Sequence, residues 1–135
     1  MENMKNKPED YWKKKLTQEQ YAVCRLGGTE VPFTGLLYTN HETGVYSCVA
    51  CDQELFSSSA KFDSGTGWPS FDAPANTEHV ELIEDRAHGM SRTEVRCKQC
   101  GAHLGHLFPD GPTHTSQRFC INSVALQFVE EKKEK

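Results

Sequence analysis

Hydrophobic and polar positions divide the chain into a short helical beginning and a longer β-rich remainder. Residues 8–16 predict a first helix, because a proline suits its first turn and acidic side chains follow at its positive end. Thr17 and Gln20 have the spacing of a capping box that opens a second helix. Gly27 and Gly28 end that helix. The two helices form an N-terminal arm.

After residue 35 the pattern favours strands and loops. Residues 44–48 predict a short strand, and residues 79–85 with 89–96 predict a hairpin that turns at 85–89. Residues 57–74 are rich in Ser, Gly and Pro and predict a long loop, which in a compact domain is often functional. The fold class predicted is mainly β, with antiparallel strands.

Residues 119–129 give the clearest strand pattern. Because alternate residues of a strand share a face, one face carries Cys120, Asn122, Val124, Leu126 and Phe128. The last three predict core positions. Cys120 and Asn122 would then extend this row toward a sheet edge or a pocket. Arg118, two positions before Cys120, would lie on the same face.

Length and charge narrow the class of protein. A chain of 135 residues predicts one domain over residues 11–129, with a flexible N-terminus at 1–10 and a charged tail at 130–135. A net charge of −4 argues against a nucleic-acid partner. We find no secretory signal and no membrane-spanning stretch, which predicts a cytoplasmic protein with no membrane partner. No feature demands a dimer, so a monomer is expected.

Two C-x-x-C pairs are the strongest chemical signal. Cys48 with Cys51, and Cys97 with Cys100, supply four thiolates for one structural zinc ion. Two redox-active dithiols, or unrelated cysteines, are the alternatives. A reducing cytoplasm favours zinc, and four thiolates leave no open position for a substrate.

Cys24 and Cys120 remain unpaired. Cys120 is either a buried apolar cysteine or a nucleophile whose thiol pKa Arg118 would lower. Two histidines, His103 and His106, follow the second C-x-x-C pair, and with Asp110 they suit proton transfer. Trp68 is either a core tryptophan or the aromatic wall of a pocket for an apolar group such as a methyl on sulfur.

Four motifs together resemble the B-type methionine sulfoxide reductases. They are residues 64–71 (SGTGWPSF), 101–106 (GAHLGH), 109–112 (PDGP) and 118–123 (RFCINS). The N-terminal pattern of the family is similar to residues 21–35, and the resemblance extends from about Tyr11 to Phe128.

The resemblance implies a fold of two antiparallel sheets with a zinc ion remote from the active site. It implies reduction of the R epimer of methionine sulfoxide in proteins, with thioredoxin as reductant. Cys120 corresponds to the catalytic cysteine of the family. The other active-site positions of the family fall on Trp68, His103, His106, Asp110, Arg118 and Asn122. Trp68 and Phe119 are expected to contact the substrate.

Thr66 departs from the family pattern. Many members have there a second cysteine, which attacks the sulfenic acid and forms a disulfide. A threonine cannot do so, and Cys24 is the remaining free cysteine. Cys24 is therefore either the resolving cysteine of a Cys24–Cys120 disulfide or a packing residue, in which case an external thiol reduces Cys120.

Two other classes of function compete with this interpretation. A zinc-stapled binding module would leave Cys120 unreactive toward alkylating agents at neutral pH. A cysteine hydrolase would use Cys120 with His103 or His106, but the sequence shows no oxyanion hole.

Overall fold

The N-terminal arm consists of two short helices. The computed structural model describes residues 7–86 and 91–130, with α1 at Glu9–Lys15 and α2 at Gln18–Cys24. The Thr17 hydroxyl accepts a hydrogen bond from the backbone N–H of Gln20 at 3.1 Å, and the Gln20 side chain accepts one from the Thr17 N–H at 2.9 Å. The predicted capping box is confirmed. It satisfies two backbone donors that the helix leaves without partners.

The rest of the described chain forms two antiparallel sheets, so the predicted fold class is confirmed. The strands are β1 Gly44–Cys48, β2 Glu54–Ser57, β3 Lys61–Phe62, β4 Ser70–Phe71, β5 Val80–Asp85, β6 Arg92–Cys97, β7 His103–Phe108, β8 Arg118–Ile121 and β9 Leu126–Glu130. One sheet has the order β2-β1-β9, and the other has the order β3-β4-β8-β7-β6-β5.

Aromatic side chains fill the core. The Phe56 and Phe71 rings stack at 4.3 Å, and Phe71 meets Tyr46 edge to face at 5.1 Å. Trp12 of α1 is fully buried beneath the Arg25 guanidinium, which lies 4.8 Å from its ring centre. Burying such large apolar surfaces stabilises the fold and fixes the helical arm against it.

The predicted hairpin is confirmed, with β5 and β6 in antiparallel register from Val80–Cys97 to Asp85–Arg92. Residues 87–90 of its turn lie outside the described residues, as do 1–6 and 131–135 of the predicted flexible terminus and tail. α1 begins at Glu9, inside the segment predicted to be flexible.

The prediction of one strand over residues 119–129 was wrong. The chain leaves the six-stranded sheet after β8, makes a short 3-10 turn at Ser123–Ala125, and enters the other sheet as β9. The Ser123 hydroxyl accepts the N–H of Leu37 at 2.9 Å, and the Glu30 carboxylate accepts the N–H of Val124 at 2.9 Å. These long-range hydrogen bonds satisfy polar groups of the turn. The alternation of hydrophobic and polar residues over 119–129 gives no indication of them.

Two further differences concern the loop at 57–74 and the histidine motif. The loop contains β3 and β4, each two residues long, and β4 pairs with β8. The motif at 101–106 leads into β7, an inner strand of the larger sheet. Its two glycines and two histidines conceal the strand pattern.

None of the helices in the described ranges 7–86 and 91–130 has the length and apolar composition that crossing a membrane requires.

Candidate active site

Strand pairing places Cys120 opposite His106. In the β7–β8 register His106 faces Cys120, and in the β4–β8 register Ser70 faces Cys120. Residues directly opposite each other on antiparallel strands have side chains on the same face, close enough to interact. The thiol and the imidazole therefore adjoin at the middle of the six-stranded sheet.

A cavity of about 220 Å³ lies over this face. Its walls include Trp68, His106, Phe108, Arg118, Cys120 and Asn122, and also Thr29, Thr66, Arg92 and Gly105. The structure therefore brings together five of the predicted site residues. The cavity is bounded by aromatic rings on some sides and by polar groups on others, which suits a small side chain that has both an apolar and a polar part.

Trp68 is held in place by the segment that follows α2. Its indole N–H donates to the carbonyl oxygen of Glu30 at 3.0 Å, and the Glu30 N–H donates to the Asn122 side-chain oxygen at 3.0 Å. The Asn122 amide in turn donates to the carbonyl oxygen of Leu104 at 3.0 Å. Asn122 is buried, so it fixes the Trp68 wall and the β7 backbone at once.

Arg118 is oriented by two neighbours. Its guanidinium donates to both Asp110 carboxylate oxygens at 2.8 and 3.2 Å and lies 4.4 Å from the centre of the Phe108 ring. The hydrogen bond from Arg118 lowers the pKa of Asp110. The Asp110 side chain is 63% exposed and does not line the cavity, so it acts on the site through Arg118.

The electrostatic effects on Cys120 oppose one another. Burial raises the pKa of the Cys120 thiol, while the positive charge of Arg118 and hydrogen bonds from Thr66 and Arg118 lower it. Burial prevails, so the pKa stays above its ordinary value. Arg118 acts in the predicted direction but does not by itself produce a thiolate at neutral pH.

His106 is supported by Asp85 from the adjacent hairpin. Its ring nitrogen Nε2 lies 3.0 Å from an Asp85 carboxylate oxygen, which is also 3.4 Å from the Arg92 guanidinium. A carboxylate fixes the ring orientation and the tautomer of a histidine that takes part in proton transfer.

His103 lies outside the Cys120 cavity. It is 7% exposed, and its Nδ1 lies 2.6 Å from a Glu94 carboxylate oxygen. Burial tends to raise the pKa of Glu94, but hydrogen bonds from Arg96 and His103 prevail and lower it. Burial lowers the pKa of His103 despite Glu94. We conclude that a neutral His103 donates its Nδ1–H to an ionised Glu94.

Cys24 lines a different cavity, together with Arg25, Glu94 and His103. It is 2% exposed, and burial raises its pKa to about 12. The His103 and His106 rings, with centroids 5.5 Å apart, line the Cys24 cavity and the Cys120 cavity respectively. The predicted Cys24–Cys120 disulfide therefore joins two residues that occupy separate cavities here.

Phe119 does not line the cavity. It is 2% exposed and lies 5.8 Å from the Phe56 ring in the core. Because neighbouring residues of a strand point to opposite faces, the residue next to Cys120 faces away from the cavity. This placement does not support the predicted substrate contact of Phe119, and Phe108 of β7 supplies an aromatic wall instead.

The four paired cysteines converge at one place. Their sulfur atoms all lie within 4.8 Å of one another, with 3.7 Å between Cys48 and Cys100 and 3.5 Å between Cys51 and Cys97. Tetrahedral zinc with Zn–S bonds of about 2.3 Å requires sulfur atoms about 3.8 Å apart. The donor set and the spacing therefore fit a metal ion such as zinc.

Comparison with known proteins identifies the family. Residues 16–130 match the SelR domain model. A peptide methionine sulfoxide reductase MsrB of Methanosarcina barkeri is 57% identical over 129 residues, covering 96% of this chain and 91% of the relative. The chain belongs to the MsrB family. The Pseudomonas aeruginosa MsrB is 52% identical over 124 residues, covering 92% of this chain and 94% of the relative.

Membership of the MsrB family confirms the assignment suggested by the four sequence motifs. It also confirms the predicted class of enzyme, an oxidoreductase. It favours catalysis over a non-catalytic binding module.

Several contributors to this MsrB-family site carried no clear signal in the sequence. Asp85 and Arg92 come from opposite strands of a hairpin, where they pair next to its turn, and Glu30 comes from a loop. Glu30 was part of the N-terminal family pattern, and that was the only signal by which it could have been found. In the sequence, Asp85 and Arg92 look like ordinary surface charges. Only the pairing of β6 with β7 brings them next to the site.

Proposed function

We propose that this protein reduces the R epimer of methionine sulfoxide in proteins, with Cys120 as the nucleophile. The pairing of Cys120 with His106 across β7 and β8, beneath the Trp68 wall, is the observation that carries this proposal. A thiol beside an imidazole in a partly apolar cavity suits attack on an electrophilic sulfur that carries a methyl group. The names of the relatives agree with it.

The reaction transfers one oxygen atom and two electrons. The Cys120 thiolate attacks the sulfoxide sulfur and forms an S–S bond with it, and the sulfoxide oxygen takes up a proton. The S–O bond and the new S–S bond then break as the hydroxyl group passes to Cys120, so that the substrate leaves as the thioether methionine and Cys120 becomes a sulfenic acid. Cys120 sulfur is oxidised by two electrons and the substrate sulfur is reduced by two, so the step balances without a further reactant.

His106 is the proton donor of this proposal, directly or through a water that it holds. It faces Cys120 and is oriented by Asp85, whereas His103 lies outside the cavity. His103, whose ring centre lies 5.5 Å from that of His106, then helps to hold the His106 ring in place. The methyl group of the substrate packs against Trp68, which would select one epimer, and Arg118 supports the negative sulfur.

A single-turnover assay tests the proposal. One equivalent of a peptide with the R sulfoxide should give one equivalent of methionine and one sulfenic acid on Cys120, trapped with dimedone and located by mass spectrometry. The S sulfoxide should react far more slowly. Cys120→Ser should give no product while keeping the metal content and circular dichroism of the wild type. Product formation by Cys120→Ser would exclude the mechanism.

For the recycling step we propose that Cys24 attacks the Cys120 sulfenic acid and that thioredoxin reduces the resulting disulfide. A disulfide requires Cα atoms within about 7 Å. Because the two cysteines line separate cavities and the Cys24 pKa is about 12, the end of α2 or the strand that carries Cys120 must shift once the sulfenic acid forms.

Cys24→Ser tests this route. It should leave the first turnover intact and strongly slow thioredoxin-driven cycling. The double variant Cys24→Ser with Thr66→Cys is the matched control, because it places a thiol in the cavity of Cys120 and should restore cycling. Cycling of Cys24→Ser at the wild-type rate would instead support direct reduction of Cys120 by an external thiol.

We further propose zinc as the metal of the four-cysteine cluster, and the cytoplasm as the compartment, where thiols stay reduced. The ligands would be Cys48, Cys51, Cys97 and Cys100, and a shell filled by four thiolates gives the ion a structural role. Metal analysis of the purified protein should find one zinc per chain. A metal-free protein of undiminished stability would contradict this.

A further inference from the structure

Three hydroxyl groups form a chain beside Cys120. Thr66 Oγ1 lies 2.7 Å from Ser64 Oγ, and Ser70 Oγ donates to Ser64 Oγ at 2.9 Å. Ser70 is fully buried and faces Cys120 across β4 and β8. Thr66 and Cys120 line the same cavity. The family resemblance assigns these hydroxyls no role, and at position 66 it only indicates that a resolving cysteine is missing.

The direction of the hydrogen bonds follows from counting protons. Ser64 Oγ accepts from the Ser70 hydroxyl at 2.9 Å and from the Thr66 N–H at 3.2 Å. The Ser70 hydroxyl also lies 3.1 Å from the carbonyl oxygen of Trp68, and we assign its proton to the shorter contact with Ser64. With two donors directed at it, Ser64 has its own proton to give to Thr66 Oγ1. A hydroxyl has one proton and two lone pairs, so this arrangement uses the capacity of Ser64 fully.

The same count leaves the Thr66 proton for Cys120. Thr66 Oγ1 accepts from Ser64 and also from the Trp68 N–H at 3.3 Å, which occupies both of its lone pairs. The carbonyl oxygen of Trp68 competes for the proton at 3.5 Å, long for an O–H···O bond. The effect on the thiol agrees, since hydrogen bonding from Thr66 lowers the pKa of Cys120.

We propose that the Thr66 hydroxyl, polarised by Ser64 and Ser70, donates a hydrogen bond to the Cys120 thiolate and thereby activates the nucleophile. This deepens the proposed function and rests on it. Thr66 and Arg118 then stabilise the sulfur from two directions. Hydrogen bonds to an ionised acceptor are stronger than neutral ones, and bonds in a chain polarise one another.

In this proposal the chain of hydroxyls orients the Thr66 proton toward Cys120 and does not itself transfer protons. Its inner end, Ser70, is fully buried, while Ser64 and Thr66 are half-buried. The proton for the sulfoxide oxygen comes from the His106 side, and the hydroxyl chain acts only on the charge of the sulfur.

The test is the pH dependence of Cys120 alkylation by iodoacetamide, with the modified peptide located by mass spectrometry and no substrate present. Thr66→Val keeps the shape of the side chain and removes the hydroxyl. We expect its apparent Cys120 pKa to rise by about one unit, with about tenfold slower alkylation at a fixed pH below the pKa. An unchanged pKa in Thr66→Val would overturn the proposal.

Two variants separate activation from simple support of the loop. Thr66→Ser keeps the donor and should retain the wild-type pKa. Ser64→Ala loses the same Ser64–Thr66 bond but keeps the Thr66 hydroxyl, so its pKa should rise by less than that of Thr66→Val. Equal rises in Ser64→Ala and Thr66→Val, or a full rise in Thr66→Ser, would show that loop disorder is the cause and would overturn the proposal.

This measurement is independent of turnover. If the wild type reduces no sulfoxide, the proposed function fails, whatever the alkylation shows. If the wild type is active but the apparent Cys120 pKa values of the wild type and the three variants do not follow the expected order, only the role of Thr66 fails.

Discussion

At the scale of single residues, the two histidines have separate surroundings. His106 faces Cys120, and His103 is buried against Glu94. A regular strand would place side chains three positions apart on opposite faces. The β6–β7 pairing, however, skips Leu104 between Gly105 and His103, and this irregularity brings both rings to one face, as β-bulges do.

His106→Ala should slow the first turnover roughly a hundredfold or more, because a positioned proton donor contributes about that much. Its unfolding temperature should change little. Single-turnover product formation with the R sulfoxide measures the rate. His114→Ala, at an exposed histidine, is the matched control and should behave like the wild type. A first turnover of His106→Ala at the wild-type rate would show that another group donates the proton.

His103→Ala should act mainly on stability. It leaves the Glu94 carboxylate, which still pairs with Arg96, without its buried histidine partner, and losing one partner of a buried hydrogen bond costs about 1–3 kcal/mol. Urea unfolding measures this loss. A full loss of first turnover with no loss of stability would mean that His103 takes part in the chemistry directly.

At the scale of elements, the close pairing of β7 with β8 depends on Gly105. A Cβ at this position would clash with the carbonyl oxygen of Cys120. Gly105→Ala should therefore push the two strands apart and move Cys120 away from His106. We expect a loss of about 1–3 kcal/mol in the free energy of unfolding and a slower first turnover. Urea unfolding and the single-turnover assay check this, and wild-type values in both would contradict the register described.

The segment between α2 and β1 depends on Glu30, which links it to the turn after β8. Glu30 is 8% exposed, and burial raises its pKa despite hydrogen bonds from Val124 and Ser123. Since the folded-state pKa lies above the unfolded one, the folded protein holds a proton that the unfolded chain has already released. This contribution to stability is complete below about pH 4.5 and is lost as the pH rises through the folded-state pKa.

Glu30→Gln, which does not titrate, should remove that part of the pH dependence. The difference in the free energy of unfolding between variant and wild type should shift in favour of the variant as the pH rises from about 4.5. Urea unfolding at a series of pH values measures the difference. A constant difference would show that Glu30 has the same pKa in both states.

At the scale of the whole molecule, the four-cysteine cluster joins the two sheets. Cys48 ends β1 of the three-stranded sheet, and Cys97 ends β6 of the six-stranded sheet. A metal at this point would contribute its binding free energy directly to folding, because the unfolded chain has no preformed site.

Cys97→Ser, or removal of the metal by a chelator, should lower the unfolding temperature strongly and cause loss of activity only through unfolding. Thermal unfolding with parallel metal analysis measures this. A chelated protein that keeps its unfolding temperature but loses its first turnover would contradict a structural role for the metal.

The sequence predicted those features whose cause lies between neighbours in the chain. The Thr17 capping box, the β5–β6 hairpin and the paired cysteines follow from local spacing, and the structure reproduces each. The prediction failed at Asn122, where the strand pattern continues but the chain changes sheets. Contacts with Glu30 and Leu37, more than 80 residues away, decide that turn.

By itself, the sequence determined the chemical types present: four thiolates for a metal, one cysteine with an arginine two residues before it and an asparagine two residues after it, and a loop with aromatic residues. Tertiary structure alone decided which groups meet. It placed His106 rather than His103 against Cys120 and Phe108 rather than Phe119 in the cavity. It also placed Thr66, whose hydroxyl contacts that of Ser64, in the same cavity as Cys120. The physical reason is that cross-strand register and the skipped residue at Leu104 depend on pairing between distant segments, which local spacing does not encode.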